Sequence, residues 1–222
     1  RLSDKDANER KTMNTHLHIL EPYTNLFRVW KDDYLKRQLH NLVRLFIDRI
    51  LDTETSHLQL FFNDDWESPY RIISYGHDIE ASWLLHEAAL VLGDKALLDE
   101  VEPRVVDIAE AATEGSLTGA GMLYEQHVDT ASIDADRHWW VQAEAIVGYI
   151  NLYQHFDDRL SLSRAVQCWE FVKRHLIDRE NGEWYWSLRA DGSVNRNEDK
   201  AGFWKCPYHN GRMCMEIIER FV

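Results

Sequence analysis

A chain of 222 residues with 45% hydrophobic content is long enough to bury a large core, and nothing in its composition points to disorder. Lys and Arg number 25 against 38 Asp and Glu, a formal net charge of −13 that disfavours phosphate backbones and anionic lipid, so neither nucleic acid nor membrane is expected as a partner. No apolar run approaches the roughly 20 residues that span a bilayer, and the charged opening RLSDKDANERK is unlike a signal peptide, so a soluble cytoplasmic location is expected.

Apolar residues recur at i, i+3 and i+4 over seven stretches, which predicts helices near 13–29, 33–51, 78–92, 95–113, 138–155, 159–176 and 209–221. Val91-Leu92-Gly93-Asp94 places a glycine just past one helix and an aspartate as cap of the next, and Phe156-Asp157-Asp158 has the same form. Both read as the turns of αα-hairpins. Three short runs between the hairpins read as small strands or extended loops: Leu58 to Phe62, Met122 to Glu125 and Glu183 to Leu188. The cysteines Cys168, Cys206 and Cys214 are odd in number and lack a C-x-x-C pair, so reduced structural thiols are expected.

Segments beginning at His16, Asp78 and Gln142, 62 and 64 residues apart, each run through an apolar helix, an acidic turn and a second amphipathic helix. Such a period marks stacked helix pairs in an open solenoid or a closed α/α toroid. The expectation is a single all-α domain over 1–222, with the helix after Tyr208 opening a fourth unit. In a ring of six hairpins this leaves the apolar flank of the first one uncovered and the N-terminal hairpins lacking. Arg1 in place of an initiator methionine fits that expectation.

Nine Trp, nine Tyr and eight Phe stand largely beside polar residues. That mixture suits carbohydrate, because a pyranose stacks its C–H face on a flat ring while its hydroxyls need donors and acceptors. Four polar clusters open the odd-numbered helices: Asn14 to His18, Gly76 to Glu80, Arg137 to Glu144 and Trp204 to Asn210. Alternate helices of a toroid form its inner ring, so the clusters are expected to converge at one end of it.

The runs HDIEASWLL at 77–85, WWVQAEAIVGY at 139–149, WKCPYHNGRMC at 204–214 and NTHLHILE at 14–21 resemble the cellobiose 2-epimerases of the N-acylglucosamine 2-epimerase superfamily. The resemblance covers essentially the whole chain in the right order. It implies an (α/α)6 barrel built from chains about twice as long, whose N-terminal hairpins carry an arginine and several aromatics of the sugar site. It further implies that His77 and His209 are the acid/base pair and that His18 is a third functional histidine. Asn14, Glu80, Trp140 and Trp204 match positions near the sugar. The implied reaction is epimerisation at C2 of the reducing-end residue of a β-1,4-linked disaccharide such as cellobiose or lactose, with no cofactor and no metal. The disaccharide and the lacking N-terminal half are the expected partners.

The chemistry of the reaction calls for the same residue types. Inverting C2 of an aldose requires ring opening, removal of the C2 proton from one face, and its return to the other through an enediolate. Two bases must face one carbon, so His77 and His209 are expected within about 15 Å of each other. Histidine suits both roles because its ordinary pKa near 6.5 makes either protonation state accessible at neutral pH. His16, His40, His57, His86, His127, His155 and His175 read as cap or surface positions, and His138 is open. His16 and His18 are two residues apart and fall on different faces of a helix, unlike the i, i+4 pair of a metal site. An N-acylglucosamine 2-epimerase or aldose–ketose isomerase shares the two histidines. A toroid glycoside hydrolase would need two carboxyl groups across a glycosidic bond, and Asp78, Glu80 and Glu144 stand beside histidines instead. An inactive fragment is the third class.

Overall fold

The computed structural model describes residues 9–116 and 121–222, and its framework among these is helical. In chain order the helices are α1 (Met13–Val29), α2 (Asp33–Leu45), α3 (Tyr75–Leu92), α4 (Lys95–Ala112), α5 (Trp139–Phe156), α6 (Arg159–Phe171) and α7 (Tyr208–Phe221). A wide π turn extends α2 through Ile50 and another extends α6 through Leu176. The helices predicted to end at 51 and 176 are therefore single runs whose last turn loosens. Strands are two or three residues long: β1 (Lys11–Thr12), β2 (Phe61–Phe62), β3 (Ile72–Ser74), β4 (Glu125–His127), β5 (Ser132–Asp134), β6 (Arg137–His138) and β7 (Ser187–Leu188).

The turn chemistry read from sequence is in place. Asp32 accepts from the Leu35 N–H, Asp94 from the Ala96 and Leu97 N–H groups, and Asp158 from the Leu160 N–H, so each satisfies an orphan donor at a helix start. Gly93 ends α3 in the left-handed region at φ +67°, and Asp157 ends α5 the same way at φ +53°. A short side chain that tolerates this region stands in for glycine.

The residues group into two compact units interleaved along the chain. The first comprises residues up to 74, with 81–111 and 126–132; the second comprises 75–80, 112–125 and 133–222. In the first unit α1 packs on α2, and β1 pairs antiparallel with β2 so that Lys11 faces Phe62 and Thr12 faces Phe61. The buried face of α1 is Met13, Leu17, Leu20, Thr24 and Phe27, spaced by a helical turn, while Val29, Trp30 and Tyr34 at the α1–α2 turn are exposed.

In the second unit α5 packs on both α6 and α7. Every residue of α5 from Trp139 to Leu152 is buried, so the helix has no solvent face until its last turn. It meets the opening turns of α3 at close range. A Cβ on Gly148 would lie 2.6 Å from Ile79 Cγ1 and 3.0 Å from the Ile79 carbonyl oxygen, so only glycine permits the approach. Strand β6 leads into α5 and pairs antiparallel with β7, Arg137 facing Leu188 and His138 facing Ser187.

Two expectations need correction. His57 and His86 are core residues, 5% and 1% exposed, where surface or cap positions were expected. Flanking apolar residues carry them inward with the elements they belong to. Of the cysteines only Cys168 is buried, and burial pushes its thiol up to about 12; Cys206 and Cys214 are exposed. No helix among the described residues is long and apolar enough to cross a membrane.

Candidate active site

Three helix starts of the second unit converge. The first turns of α3 bring His77 and Glu80, α5 brings Trp140 and Glu144, and α7 brings Tyr208, His209 and Arg212. On α3 and α7 the spacing is three or four residues, which stacks the side chains on one helix face. Gly76 makes room for the aromatic centre, because a Cβ there would lie 2.6 Å from the Trp140 ring.

Trp140 is the hinge of the arrangement. Its ring centroid is 4.7 Å from that of His77 and 5.5 Å from that of His209. Those two separations bound the distance between the imidazoles to about 10 Å. Trp140 is buried while both histidines are half-buried, so the imidazoles can be reached where the indole cannot. Trp139 lies edge-on to His209 at 6.4 Å, and Tyr208 lies edge-on to it at 4.7 Å.

Beneath the histidine pair lies a buried ionic cluster. His209 Nδ1 is 2.7 Å from Glu144 Oε1 and 3.9 Å from Glu80 Oε1. Arg212 Nη2 donates to Glu80 Oε1 at 2.6 Å and to Glu144 Oε1 at 2.8 Å, and its Nη1 donates to the Tyr208 hydroxyl at 2.6 Å. The guanidinium also sits 4.5 Å from the centre of the Tyr208 ring. Glu80 and Glu144 are 0% and 1% exposed, where ionised groups persist only when paired.

The charges decide the protonation states. Burial raises the Glu144 pKa, but the Arg212 charge and the His209 hydrogen bond outweigh it and hold the carboxyl well below the usual range. Burial lowers the His209 pKa, but the Glu144 hydrogen bond with the Glu144 and Glu80 charges outweighs it, and the imidazole is held above 6.5. An ionised carboxylate only accepts, so Nδ1–H of His209 donates to Glu144.

Glu80, Glu144 and His209 present ligand atoms within 4.8 Å of one another, close enough for a metal ion. The Arg212 guanidinium already bonds both carboxylates, and so supplies the positive charge that an ion would bring. The donor set therefore does not fit a metal without displacing Arg212.

A loop completes the surroundings. The buried Gln142 side chain takes the Met122 N–H on Oε1 and donates Nε2 to the Met122 carbonyl, both at 2.8 Å. This tie presents Tyr124, which stacks on His138 at 4.0 Å and meets Trp140 edge-on at 6.2 Å. Burial pushes the Tyr124 phenol far above its ordinary value, so it remains a neutral hydrogen-bonding group.

Of the residues picked out in sequence, His77, Glu80, Trp140 and His209 come together here. Trp204 lies on the loop before α7, 56% exposed and edge-on to Phe203 at 4.9 Å. Asn14 and His18 belong to the first unit, on the opening turns of α1, exposed and half-buried respectively. Sequence reading missed Arg212, and it gave Tyr208 and Glu144, which lie within two of the polar clusters, no role in the epimerisation. The signal available was the Tyr208, His209, Arg212 spacing, which aligns a hydroxyl, an imidazole and a cation on one turn.

Known proteins resemble this chain in sequence and in fold. The model of the family described as N-acylglucosamine 2-epimerase (GlcNAc 2-epimerase) matches residues 2–211. A cellobiose 2-epimerase of Bacteroides fragilis is 67% identical over 98% of this chain and 56% of its own length. One from Dictyoglomus turgidum is 41% identical over 95% of this chain and 54% of its own. The solved structure of cellobiose 2-epimerase from Bacillus thermoamylovorans, 45% identical, superposes with a TM-score of 0.91 over 99% of this chain and 56% of that one. The chain thus spans about half the length of the curated relatives it matches. With a match over nearly its whole length and the all-α hairpin fold in common, the chain belongs to the N-acylglucosamine 2-epimerase family.

Proposed function

We propose that this chain forms the C-terminal part of a single α/α-toroid domain that epimerises C2 of the reducing-end residue of a β-1,4-linked disaccharide, cellobiose to glucosyl-mannose or lactose to epilactose. The carrying observation is that His77 and His209 both pack against the Trp140 ring, which bounds them to within about 10 Å of each other. A C2 carbon between two imidazoles can lose its proton to one and regain it from the other. After ring opening, one histidine in its neutral form takes the C2 proton, an enediolate forms, and the other histidine in its protonated form delivers a proton to the opposite face. Glu144 holds His209 through Nδ1 so that Nε2 faces the reacting carbon. Arg212 keeps Glu144 ionised and thereby the imidazole basic. Asn14, His18, Glu80 and Trp204 serve the sugar, and the N-terminal hairpins supply the rest of its site.

The hydrolase alternative fares worse on the same geometry. Glu80 and Glu144 share one guanidinium and are buried, and a carboxyl held well below its usual range is a poor proton donor. N-Acylglucosamine epimerisation and aldose–ketose isomerisation use the same two bases and differ in the sugar.

The test is NMR of cellobiose incubated with the full-length protein in deuterated water. Glucosyl-mannose carrying deuterium at C2 is the expected product. Free glucose, or an epimer without C2 exchange, would overturn the reading.

A further inference from the structure

At the start of α7 lies a second ionic cluster that takes no part in the reaction just described; its cation is buried and its carboxylate half-buried. Lys205 is a fully desolvated cation, its side chain 0% exposed, on the loop that leads into α7. Its Nζ donates to Glu183 Oε1 at 2.9 Å and to the Lys200 carbonyl at 2.9 Å, and lies 5.2 Å from the centre of the Trp139 ring. The same Glu183 Oε1 accepts from Asn210 Nδ2 at 2.9 Å. One carboxylate oxygen therefore binds the residue three before α7 and the residue next to His209.

This arrangement is expensive to build. Glu183 sits at φ +64°, a left-handed conformation that its side chain does not favour. Asn210 Oδ1 is buried with no hydrogen-bond partner among the described residues. Burial opposes the Lys205 charge and lowers its pKa despite Glu183. With Lys205 buried and Glu183 half-buried, the pair carries the desolvation cost of the cation, and the best-attested use of such a pair is to fix a geometry.

We propose that Glu183, Lys205 and Asn210 are positioning residues that lock the first turn of α7, and so set the His209 imidazole on Glu144. Trp139 links the two clusters, with Lys205 over its ring and its ring edge-on to His209. The kinetic part of the proposal rests on the epimerase reading; the positional part does not.

The experiment makes Lys205→Met and Asn210→Ala in the full-length protein, the second leaving the Glu183–Lys205 pair intact in case the first does not fold. Two quantities are read well below each variant's melting temperature: steady-state epimerisation of cellobiose, and the downfield NMR resonance of the His209 Nδ1 proton. The expected result is a kcat lower by on the order of 10- to 10²-fold with KM within about threefold, since a misplaced base loses rate rather than binding. The Nδ1 proton should shift upfield or exchange faster in the same variants. A folded Asn210→Ala with kcat within twofold of the parent and an unmoved Nδ1 proton would overturn the proposal, whatever its melting temperature. If the parent shows no epimerisation, the proton resonance alone decides: an altered signal upholds the positioning role and an unaltered one refutes it.

Discussion

His209 Nδ1 donates to Glu144 Oε1 across 2.7 Å, and the two residues come from helices that begin 69 positions apart. Replacing Glu144 with Gln keeps the volume but removes the charge that holds His209 above its ordinary pKa and leaves an amide that can address Nδ1 by either end. Epimerisation by Glu144→Gln should fall by about 10²–10⁴-fold, the range of a general acid/base contribution. Because the imidazole then loses its protonating partner, the pH limb assigned to His209 should move to lower pH. A rate profile with the parent's limb would show that the contact does not tune the base.

The two histidines are separable by isotope. His77→Ala and His209→Ala should each abolish inversion, because each removes the proton carrier on one face. For a given epimer, the variant that keeps the deprotonating base should still exchange the C2 hydrogen with deuterated water without inverting it. Either variant retaining activity within tenfold of the parent eliminates its residue as a shuttle, since acid/base groups contribute on the order of 10²–10⁴-fold.

The ionic cluster ties stability to pH in two directions. The folded pKa of His209 is raised above 6.5, so its contribution is full below that value and is lost as pH rises through the folded value. The folded pKa of Glu144 is lowered below 4.5, so its contribution is full above that value and is lost as pH falls through the folded value. Denaturant midpoints should therefore be highest between about pH 4.5 and 6.5 as far as this pair is concerned. His209→Gln should flatten the fall on the alkaline side; an unchanged slope there would count against the assignment.

Gly148→Ala tests the close approach of α5 and α3. The new methyl would meet Ile79 Cγ1 at 2.6 Å and its carbonyl at 3.0 Å, and backbone yields less readily than a side chain. A loss of about 1–3 kcal/mol is expected from overpacking, outweighing the better helix propensity of alanine. Chemical denaturation measures it, and a stabilised variant would contradict the packing described.

The 222-residue chain exposes large apolar side chains at both ends of its sequence. Val29, Trp30 and Tyr34 are 84%, 56% and 64% exposed, and Met215, Ile218 and Phe221 on α7 are 60%, 63% and 56% exposed. Apolar patches above a few hundred Å² are rarely left bare on soluble monomers. Light scattering should show association of the isolated chain, together with binding of a hydrophobic dye. A monodisperse, dye-free monomer would refute this.

Helix number and hairpin turns were legible in sequence because each depends on neighbours within one turn or one cap, whereas His77, His209, Glu80 and Trp140 were picked out by the runs that carry the family resemblance. Periodicity places an apolar face, an Asp before a helix caps it whatever the fold, and the four runs that carry the family resemblance are contiguous. The sequence by itself could not pair Glu144 with His209 or bring Arg212 to both carboxylates, since those contacts join α3, α5 and α7 across 65 to 132 positions. Nor could it tell that Lys205, an ordinary surface residue by type, is fully buried against Glu183. Local patterns report hydrophobic period and cap chemistry; which charges are desolvated together depends on how close the helices approach. Gly76 and Gly148 set that approach, and only the tertiary structure shows what their missing side chains make room for.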